Sequence, residues 1–230
     1  MNHFDVAIIG IGPAGSMAAL LLESYGLRVL CIDKEKDIYN LPRAVTVSDQ
    51  GFRMSQLAGI EDIYLKNSTI LGGAYFSDKN LEIIGGSIDL KGFVSANGWP
   101  ASSLFHQPYT DRDIRKKLEN SNVEIMLEHE FISLDQNQES VSFKTINLNN
   151  QEEKDFTSRY LIGSDGGSSI VRKQLGISQE DLNYNRDWVV IDVELNEPDK
   201  LGDKLIQVCD KERLATCLLY TSDAADDRSC

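Results

Sequence analysis

The first forty positions of the chain alternate between apolar and polar stretches in a pattern typical of a strand, a helix and a second strand. Residues 4–9 form an apolar run rich in β-branched side chains, which is typical of a buried parallel strand. Residues 14–25 carry apolar side chains at helical spacing and are followed by Gly26, which is typical of a helix C-terminus. Residues 27–32 form the second apolar run. The pattern predicts a βαβ unit.

The link between the first strand and the helix has the glycine spacing of dinucleotide-binding proteins. Gly10, Gly12 and Gly15 stand in the order GxGxxG. The first glycine permits a tight turn, the second lets backbone amides approach a diphosphate at the helix N-terminus, and the third lets helix and strand pack closely. The sequence therefore predicts a site for an adenine dinucleotide.

An acidic residue follows the second strand at the position where such sites bind ribose. Asp33 lies 18 residues after Gly15, near the offset of about 20 residues expected for a ribose-binding carboxylate. A carboxylate here accepts hydrogen bonds from the ribose hydroxyls and repels a 2′-phosphate, so NADP is disfavoured at this site. Both NAD and FAD remain possible, because the spacing does not separate them.

Weaker patterns predict that the later part of the chain continues the α/β fold and adds a second sheet. Turn signals and weak alternation favour short antiparallel strands for the second sheet. The predicted elements are helices at 44–65 (with a break at Gly59), 110–118 (opened by Thr110) and 168–175, strands at 123–127, 160–162 and 188–193, short strands within 71–90, and a hairpin of 131–134 with 141–148.

Composition narrows the classes of function. The 230 residues contain 23 Lys and Arg against 36 Asp and Glu, a net charge of −13, which disfavours nucleic acid as a partner. No apolar run reaches the roughly 18 residues of a membrane span, and the N-terminus lacks the basic region of a signal peptide. The four cysteines have no CxxC spacing, and with three histidines they give no metal-binding pattern. We expect a protein of the reducing cytoplasm without a metal site.

Five segments together resemble one enzyme family. They are Gly10-Ile-Gly-Pro-Ala-Gly15, Leu41-Pro-Arg-Ala-Val45, Asn97-Gly-Trp-Pro100, Phe105-His-Gln-Pro108 and Leu161-Ile-Gly-Ser-Asp-Gly166 with the residues that follow to Arg172. In this order they resemble the class A flavoprotein aromatic hydroxylases of the FAD-binding monooxygenase superfamily. The resemblance leans toward the 3-(3-hydroxyphenyl)propionate hydroxylase-like branch, and it implies a Rossmann-like FAD-binding βαβ fold with an interleaved mixed or antiparallel substrate-domain sheet.

The resemblance also implies a set of FAD-binding residues. The glycines and Asp33 would hold the ADP half, Arg43 would reach the phosphates or the ribityl chain, and Gln107 would hydrogen-bond on the flavin side. Asp165 would lie near FAD and the approach of the nicotinamide nucleotide. The alternatives are an ordinary surface arginine, a polar loop residue and a simple Asp-Gly turn. The full predicted set is Gly10, Gly12, Pro13, Ala14, Gly15, Asp33, Lys34, Arg43, Gln107 and Asp165.

By the same resemblance, the expected activity is that of an FAD-dependent monooxygenase in aromatic compound catabolism. NAD(P)H would reduce the flavin, and a flavin C4a-hydroperoxide formed with O2 would hydroxylate a small phenolic substrate; no catalytic side chain is identified. The alternatives are an NAD-dependent dehydrogenase and a non-catalytic FAD- or nucleotide-binding fragment. A dehydrogenase does not explain the segments around Arg43, Gln107 and Asp165 together. The substrate, the choice between NADH and NADPH, and the oligomeric state stay open.

The domain organisation predicted from these motifs is discontinuous. Residues 1–71 and 101–180 are expected to form the FAD-binding domain, and 72–100 with 181–216 part of a substrate domain. Cys217 to Asp226 reads like the translation of a transposon adapter used in library preparation, so 217–230 is expected to be a non-native tail; a genuine polar C-terminal turn is the alternative. The chain would then be an N-terminal fragment with an incomplete second sheet, which retains FAD weakly or not at all on its own.

Overall fold

The computed structural model describes residues 3–185, 187–193, 196 and 202–219, which form an α/β fold with three sheets. The helices are α1 (Pro13–Ser24), α2 (Asp49–Leu57), α3 (Glu61–Lys66), α4 (Gln107–Glu119) and α5 (Ile170–Gln174). The strands are β1 (His3–Ile9), β2 (Val29–Ile32), β3 (Thr46–Ser48), β4 (Ser68–Ile70), β5 (Gly73–Ser77), β6 (Ile83–Asp89), β7 (Ser102–Phe105), β8 (Glu124–Met126), β9 (His129–Gln136), β10 (Val141–Asn147), β11 (Glu153–Gly163), β12 (Lys204–Val208) and β13 (Ala215–Cys217).

The chain divides into two compact units, and the first contains the predicted βαβ fold. This unit comprises Met1–Asn40, Leu57–Ile60 and Asp111–Arg186. Its sheet has the order β8-β2-β1-β11-β10-β9. Strands β8, β2, β1 and β11 are parallel, and β11, β10 and β9 are antiparallel. The predictions of the βαβ unit, a third parallel strand, the hairpin and the return of the chain to the main sheet are confirmed.

The centre of this sheet is fully buried, which explains the uninterrupted apolar runs. Ala7 and Ile8 of β1 point to opposite faces, and neither is exposed to solvent. A parallel strand covered on both faces needs apolar side chains at every position. One core cluster on this sheet consists of Phe4, Ala7, Ile9, Leu30, Ile32, Phe131, Phe143 and Val171. The loops that follow β1 and β2 therefore leave from a tightly packed base.

Main-chain hydrogen bonds also hold the residue that follows β2. The amide of Asp33 donates to the carbonyl of Met126 at 2.9 Å, and the amide of His129 donates to the carbonyl of Asp33 at 3.0 Å. His129 is buried, and its Nε2 lies 3.0 Å from the side-chain nitrogen Nδ2 of Asn147. Burial lowers the pKa of His129, so the neutral ring can accept this hydrogen bond. The backbone at Asp33 is thus fixed from the neighbouring elements.

The second unit contains the other two sheets. It comprises Leu41–Gln56, Glu61–Thr110 and Asp187–Cys230. One sheet has the order β13-β12-β5-β6, with β12 and β5 parallel and the outer pairs antiparallel, and the other is an antiparallel sheet β3-β7-β4. Trp99 stacks on Phe52 with ring centroids 5.1 Å apart, and Tyr64 lies 5.8 Å from Phe105. These aromatic rings form part of the packing of this unit.

Three predicted elements differ from the structure. The segment 44–65 contains β3 before two helices, which separate near Gly59, where φ is +66°. Thr110 does not open a helix, because α4 already begins at Gln107 and the Thr110 hydroxyl bonds to the carbonyl of His106. The strand predicted at 188–193 is wrong: this stretch has no strand hydrogen bonds, and Trp188 is 80% exposed. Apolar β-branched residues favour a strand, but a strand also needs a neighbour to pair with its backbone.

The two compact units do not coincide with the predicted cofactor and substrate domains. Residues 41–56, 61–71 and 101–110 belong to the second unit, whereas the motifs place them in the cofactor domain. Compactness and cofactor contact are different criteria, so the predicted domain boundaries stay a prediction. Of the predicted tail, Cys217 pairs with Ile206 in β12, and 220–230 lie outside the described residues. No helix within the described residues is long and apolar enough to cross a membrane.

Candidate functional site

The N-terminus of α1 is open to an anion. Gly12 is the N-cap residue, Pro13 is the first helical residue, and no side chain caps the helix. Gly12, Pro13 and Ala14 are exposed. Amides in the first turn of a helix have no intrahelical acceptor, and the helix dipole places positive charge there. The amides of Ala14 and Gly15 have no intrahelical acceptor, and their binding to a phosphate group stays a prediction.

The three glycines of the turn have different roles. Gly10 has φ of +97°, and a side chain on it would overlap the Ser164 carbonyl. A Cβ on Gly15 would overlap the carbonyl oxygen of Gly10 and lie 2.7 Å from the Ser164 hydroxyl. Gly12, by contrast, has φ of −72°, and a Cβ on it would meet nothing within 4 Å. The fold requires glycine at the first and third positions, whereas the open space at Gly12 is available to a ligand.

Asp33 lies beside the glycine turn, as the spacing predicts. One carboxylate oxygen accepts a hydrogen bond from the amide of Ile11 at 2.7 Å, and the other accepts one from the amide of Glu35 at 2.9 Å. Each carboxylate oxygen has two acceptor positions, so ribose hydroxyls can bind as well. Lys34 is exposed, and its ammonium lies 4.0 Å from the Glu35 carboxylate. A cofactor contact of Lys34 stays a prediction.

Asp165 holds the turn that follows β11. Its carboxylate accepts hydrogen bonds from the Ser169 hydroxyl at 2.5 Å, from the Ile170 amide at 2.6 Å and from the Val171 amide at 3.2 Å. Both oxygens thus satisfy donors at the start of α5, and Gly166 supports the turn with φ of +85°. This geometry gives Asp165 a role in shaping the turn; its predicted approach to FAD and the nicotinamide nucleotide stays a prediction.

Arg43 and Gln107 both belong to the second unit, where the Gln107 side chain holds the Arg43 backbone. Gln107 is 8% exposed at the start of α4. Its Oε1 accepts hydrogen bonds from the amides of Arg43 at 2.8 Å and Ala44 at 2.9 Å. The Arg43 side chain is exposed. The sequence predicts two separate cofactor contacts for these residues but not the hydrogen bond between them; the cofactor contacts stay predictions.

Ser164 lies within the segment Leu161–Gly166 that resembles the family, but it is not among the predicted site residues. Its amide donates to the carbonyl of Ile9 at 2.8 Å, and its hydroxyl lies 2.8 Å from the carbonyl oxygen of Gly10. A serine carries no motif signal by itself, and its only distinguishing feature is its position directly before Asp165. The structure makes it the link between the end of β11 and the glycine turn.

Known proteins match the chain over nearly its whole length. The family described as "FAD binding domain" matches residues 3–223. A 3-(3-hydroxy-phenyl)propionate/3-hydroxycinnamic acid hydroxylase of Burkholderia vietnamiensis is 30% identical over 218 residues, which cover 91% of this chain and 33% of the relative. A protein of Rhodococcus jostii named "Probable NADH-specific resorcinol 4-hydroxylase" is 29% identical over 210 residues, which cover 90% of this chain and 39% of the relative. The chain thus spans about a third of the length of these curated relatives.

Solved structures share the fold. The p-nitrophenol 4-monooxygenase PnpA of Pseudomonas putida superimposes with a TM-score of 0.70 at 25% identity, over 76% of this chain and 44% of that one. The flavin-dependent monooxygenase PieE, solved with FAD and substrate, gives a TM-score of 0.67 at 24% identity. The match covers 76% of this chain and 32% of that one. The expected α/β architecture is therefore confirmed by similarity of structure as well as of sequence.

The different roles of the glycines predict opposite results for two alanine substitutions. Gly15→Ala should lower the melting temperature by several degrees, because the new methyl group overlaps the Gly10 carbonyl. Gly12→Ala should leave the melting temperature within a degree or so of the parent, yet weaken binding of FAD about tenfold, because the methyl group occupies the space of the diphosphate. Thermal unfolding and FAD titration measure the two effects.

A third glycine provides the control for this pair. Gly86 also has open space at its Cβ position and lies in the second unit, so Gly86→Ala should change neither quantity. Unaltered FAD affinity in Gly12→Ala would contradict the role assigned to Gly12.

The contact between Gln107 and the Arg43 loop predicts a change in proteolysis. Gln107→Met removes the acceptor of two amides, so the loop should open more often and trypsin should cut after Arg43 several times faster. Gln107→Glu keeps an acceptor at the same place and should behave like the parent. The cut after Lys91, in another loop of the same unit, is the internal reference. Equal rates after Arg43 in all three proteins would show that Gln107 does not hold the loop.

Proposed function

The chain belongs to the FAD binding domain family, and from this premise we propose that it comes from an FAD-dependent monooxygenase that uses NAD(P)H and O2 to hydroxylate a small phenolic compound. The observation that carries the proposal is the uncapped N-terminus of α1 with Asp33 beside the same turn. The names of the relatives from Burkholderia and Rhodococcus support the substrate class, and the latter supports NADH as a reductant.

The first unit offers the groups that the ADP half of FAD requires. The amides of Ala14 and Gly15 would bind the diphosphate, and the open space at Gly12 would let it approach the backbone. The carboxylate of Asp33 would accept hydrogen bonds from the adenosine ribose. These positions belong to one βαβ unit, so the fit does not depend on any other part of the chain.

The role of the described residues in the reaction is to bind and orient the cofactor. FAD, when bound, supplies the redox chemistry, which includes acceptance of hydride from NAD(P)H and activation of O2. Asp165 keeps the turn after β11 in shape through three hydrogen bonds. In the second unit, Gln107 keeps the backbone of the Arg43 loop in place, which would let the Arg43 guanidinium meet a phosphate or the ribityl chain. None of these described residues is given a proton-transfer step.

Competition between two dinucleotides tests the cofactor assignment. Although the chain is expected to retain FAD weakly through purification, it should bind added FAD in a saturable manner and more tightly than NAD, as followed by quenching of flavin fluorescence. Asp33→Ala should raise the Kd for FAD about tenfold or more, since hydrogen bonds to a charged group contribute about 1.5–3 kcal/mol. Tighter binding of NAD than of FAD would instead favour an NAD-dependent dehydrogenase, the alternative that the glycine spacing alone allows.

A chimeric enzyme tests the activity, because the chain spans about a third of its curated relatives. Residues 3–216 would replace the matching part of the Burkholderia hydroxylase. With NADH or NADPH and isotopically labelled O2, the product of a phenolic substrate should contain one oxygen atom from O2. A chimera that folds with bound FAD and oxidises NAD(P)H with every phenol tested, but never incorporates that atom, would contradict the monooxygenase assignment.

A further inference from the structure

A single peptide group in the glycine turn is held at both ends by side chains from other elements. The carbonyl oxygen of Gly10 lies 2.8 Å from the hydroxyl of Ser164, which follows β11. The amide of Ile11 donates to the carboxylate of Asp33, which follows β2, at 2.7 Å. This carbonyl and this amide belong to the same planar peptide unit. The two hydrogen bonds therefore fix the orientation of one rigid group, which we call the Gly10–Ile11 peptide.

The surroundings of Ser164 leave its hydroxyl little freedom. The Ser164 amide donates to the carbonyl of Ile9 at 2.8 Å, and the hydroxyl lies 3.0 Å from that same oxygen. Since a hydroxyl has one proton, it is shared between the carbonyls of Ile9 and Gly10. The Ser164 backbone fills the space beside Gly10. The Ser164 hydroxyl lies close to Gly15, since a Cβ added to Gly15 would be 2.7 Å from it. The position of the hydroxyl is thus set by the packing of the turn.

We infer that Ser164 is a positioning residue for FAD, which acts with Asp33 by holding the Gly10–Ile11 peptide from opposite ends. The inference rests on the proposed binding of FAD at this turn. The orientation of this peptide determines where the next amides of the turn point, and it also fixes the Asp33 oxygen that accepts the Ile11 amide. Loss of either partner would let the peptide rotate, so Ser164 affects a ligand that it does not need to touch.

The inference distinguishes Ser164 from a residue that only stabilises the fold. Removal of a hydrogen bond that contributed to stability alone would lower the melting temperature, and its effect would add to that of a change at Asp33. Two partners of one rigid peptide are instead coupled: once one bond is lost, the second constrains the peptide less. The combined effect should be smaller than the sum of the single effects.

A double-mutant cycle with two readouts tests this coupling. The proteins are the parent chain, Ser164→Ala, Asp33→Ala, the double variant and, as a control, Ser142→Ala, which alters an exposed serine of β10. The first readout is hydrogen exchange of the Ile11 amide, measured by NMR without ligand. The second is the Kd for FAD. The amide of Glu35 bonds to the other oxygen of Asp33 and serves as an internal reference for Ser164→Ala.

We expect Ser164→Ala to accelerate exchange at Ile11 and to raise the Kd for FAD, each about fivefold, as the loss of one hydrogen bond implies. Exchange at Glu35 should stay unchanged, and the double variant should resemble Asp33→Ala alone. Should Ser164→Ala fail to fold, Ser164→Cys replaces the hydroxyl with a somewhat larger and weaker donor and should give the same pattern in smaller degree.

Unchanged exchange at Ile11, or strictly additive effects of the two substitutions, would overturn the inference. If the parent chain binds FAD, faster Ile11 exchange in Ser164→Ala without any change in the Kd for FAD would also overturn it. Failure of the parent to bind added FAD even at high concentration counts against the proposed function, and the Ile11 readout then still decides whether the two side chains hold the peptide together.

Discussion

The close approach of the glycine turn to α1 and to the end of β11 is the contact on which the candidate site depends. No side chain fits at Gly10 or Gly15, because the neighbouring backbone already occupies the space. This packing brings the start of α1 to the carboxyl edge of the parallel strands, where β2 delivers Asp33. The buried β1 and β2 supply the rigid base that makes such close packing possible. The helix end that we propose for the diphosphate and the carboxylate that we propose for the ribose thus share one turn.

Much of this turn could be predicted from the sequence, since each of its features has a local cause. Apolar runs without alternation indicate buried parallel strands, and the glycine spacing with an acid at the end of the second strand indicates the ligand. The spacing did not reveal that Gly12 differs from the other two glycines, because that difference depends on which neighbours surround each Cβ position. Ser164 and the bond between Gln107 and Arg43 were missed for a similar reason: they join residues more than sixty positions apart.

The error at 188–193 has a different physical origin. A strand is defined by its partner, and residue preferences report only that a segment suits a strand. Within the described residues, this apolar stretch has no pairing partner and stays exposed. The segment 44–65 shows the opposite case, in which pairing with β7 recruits β3 from a stretch whose composition favours a helix. In both places tertiary contacts decide the outcome rather than local preference.

The most direct test of the account is a titration of the isotope-labelled chain with ADP, followed by NMR of the backbone amides. ADP carries the diphosphate and ribose without the flavin, so it reports on the βαβ turn alone. We expect saturable chemical-shift changes at the amides of Gly12, Ala14 and Gly15 and at the amides bonded to Asp33, and none in the sheet β3-β7-β4. Saturable shifts elsewhere in the chain, with the amides from Gly12 to Gly15 unaffected, would contradict it.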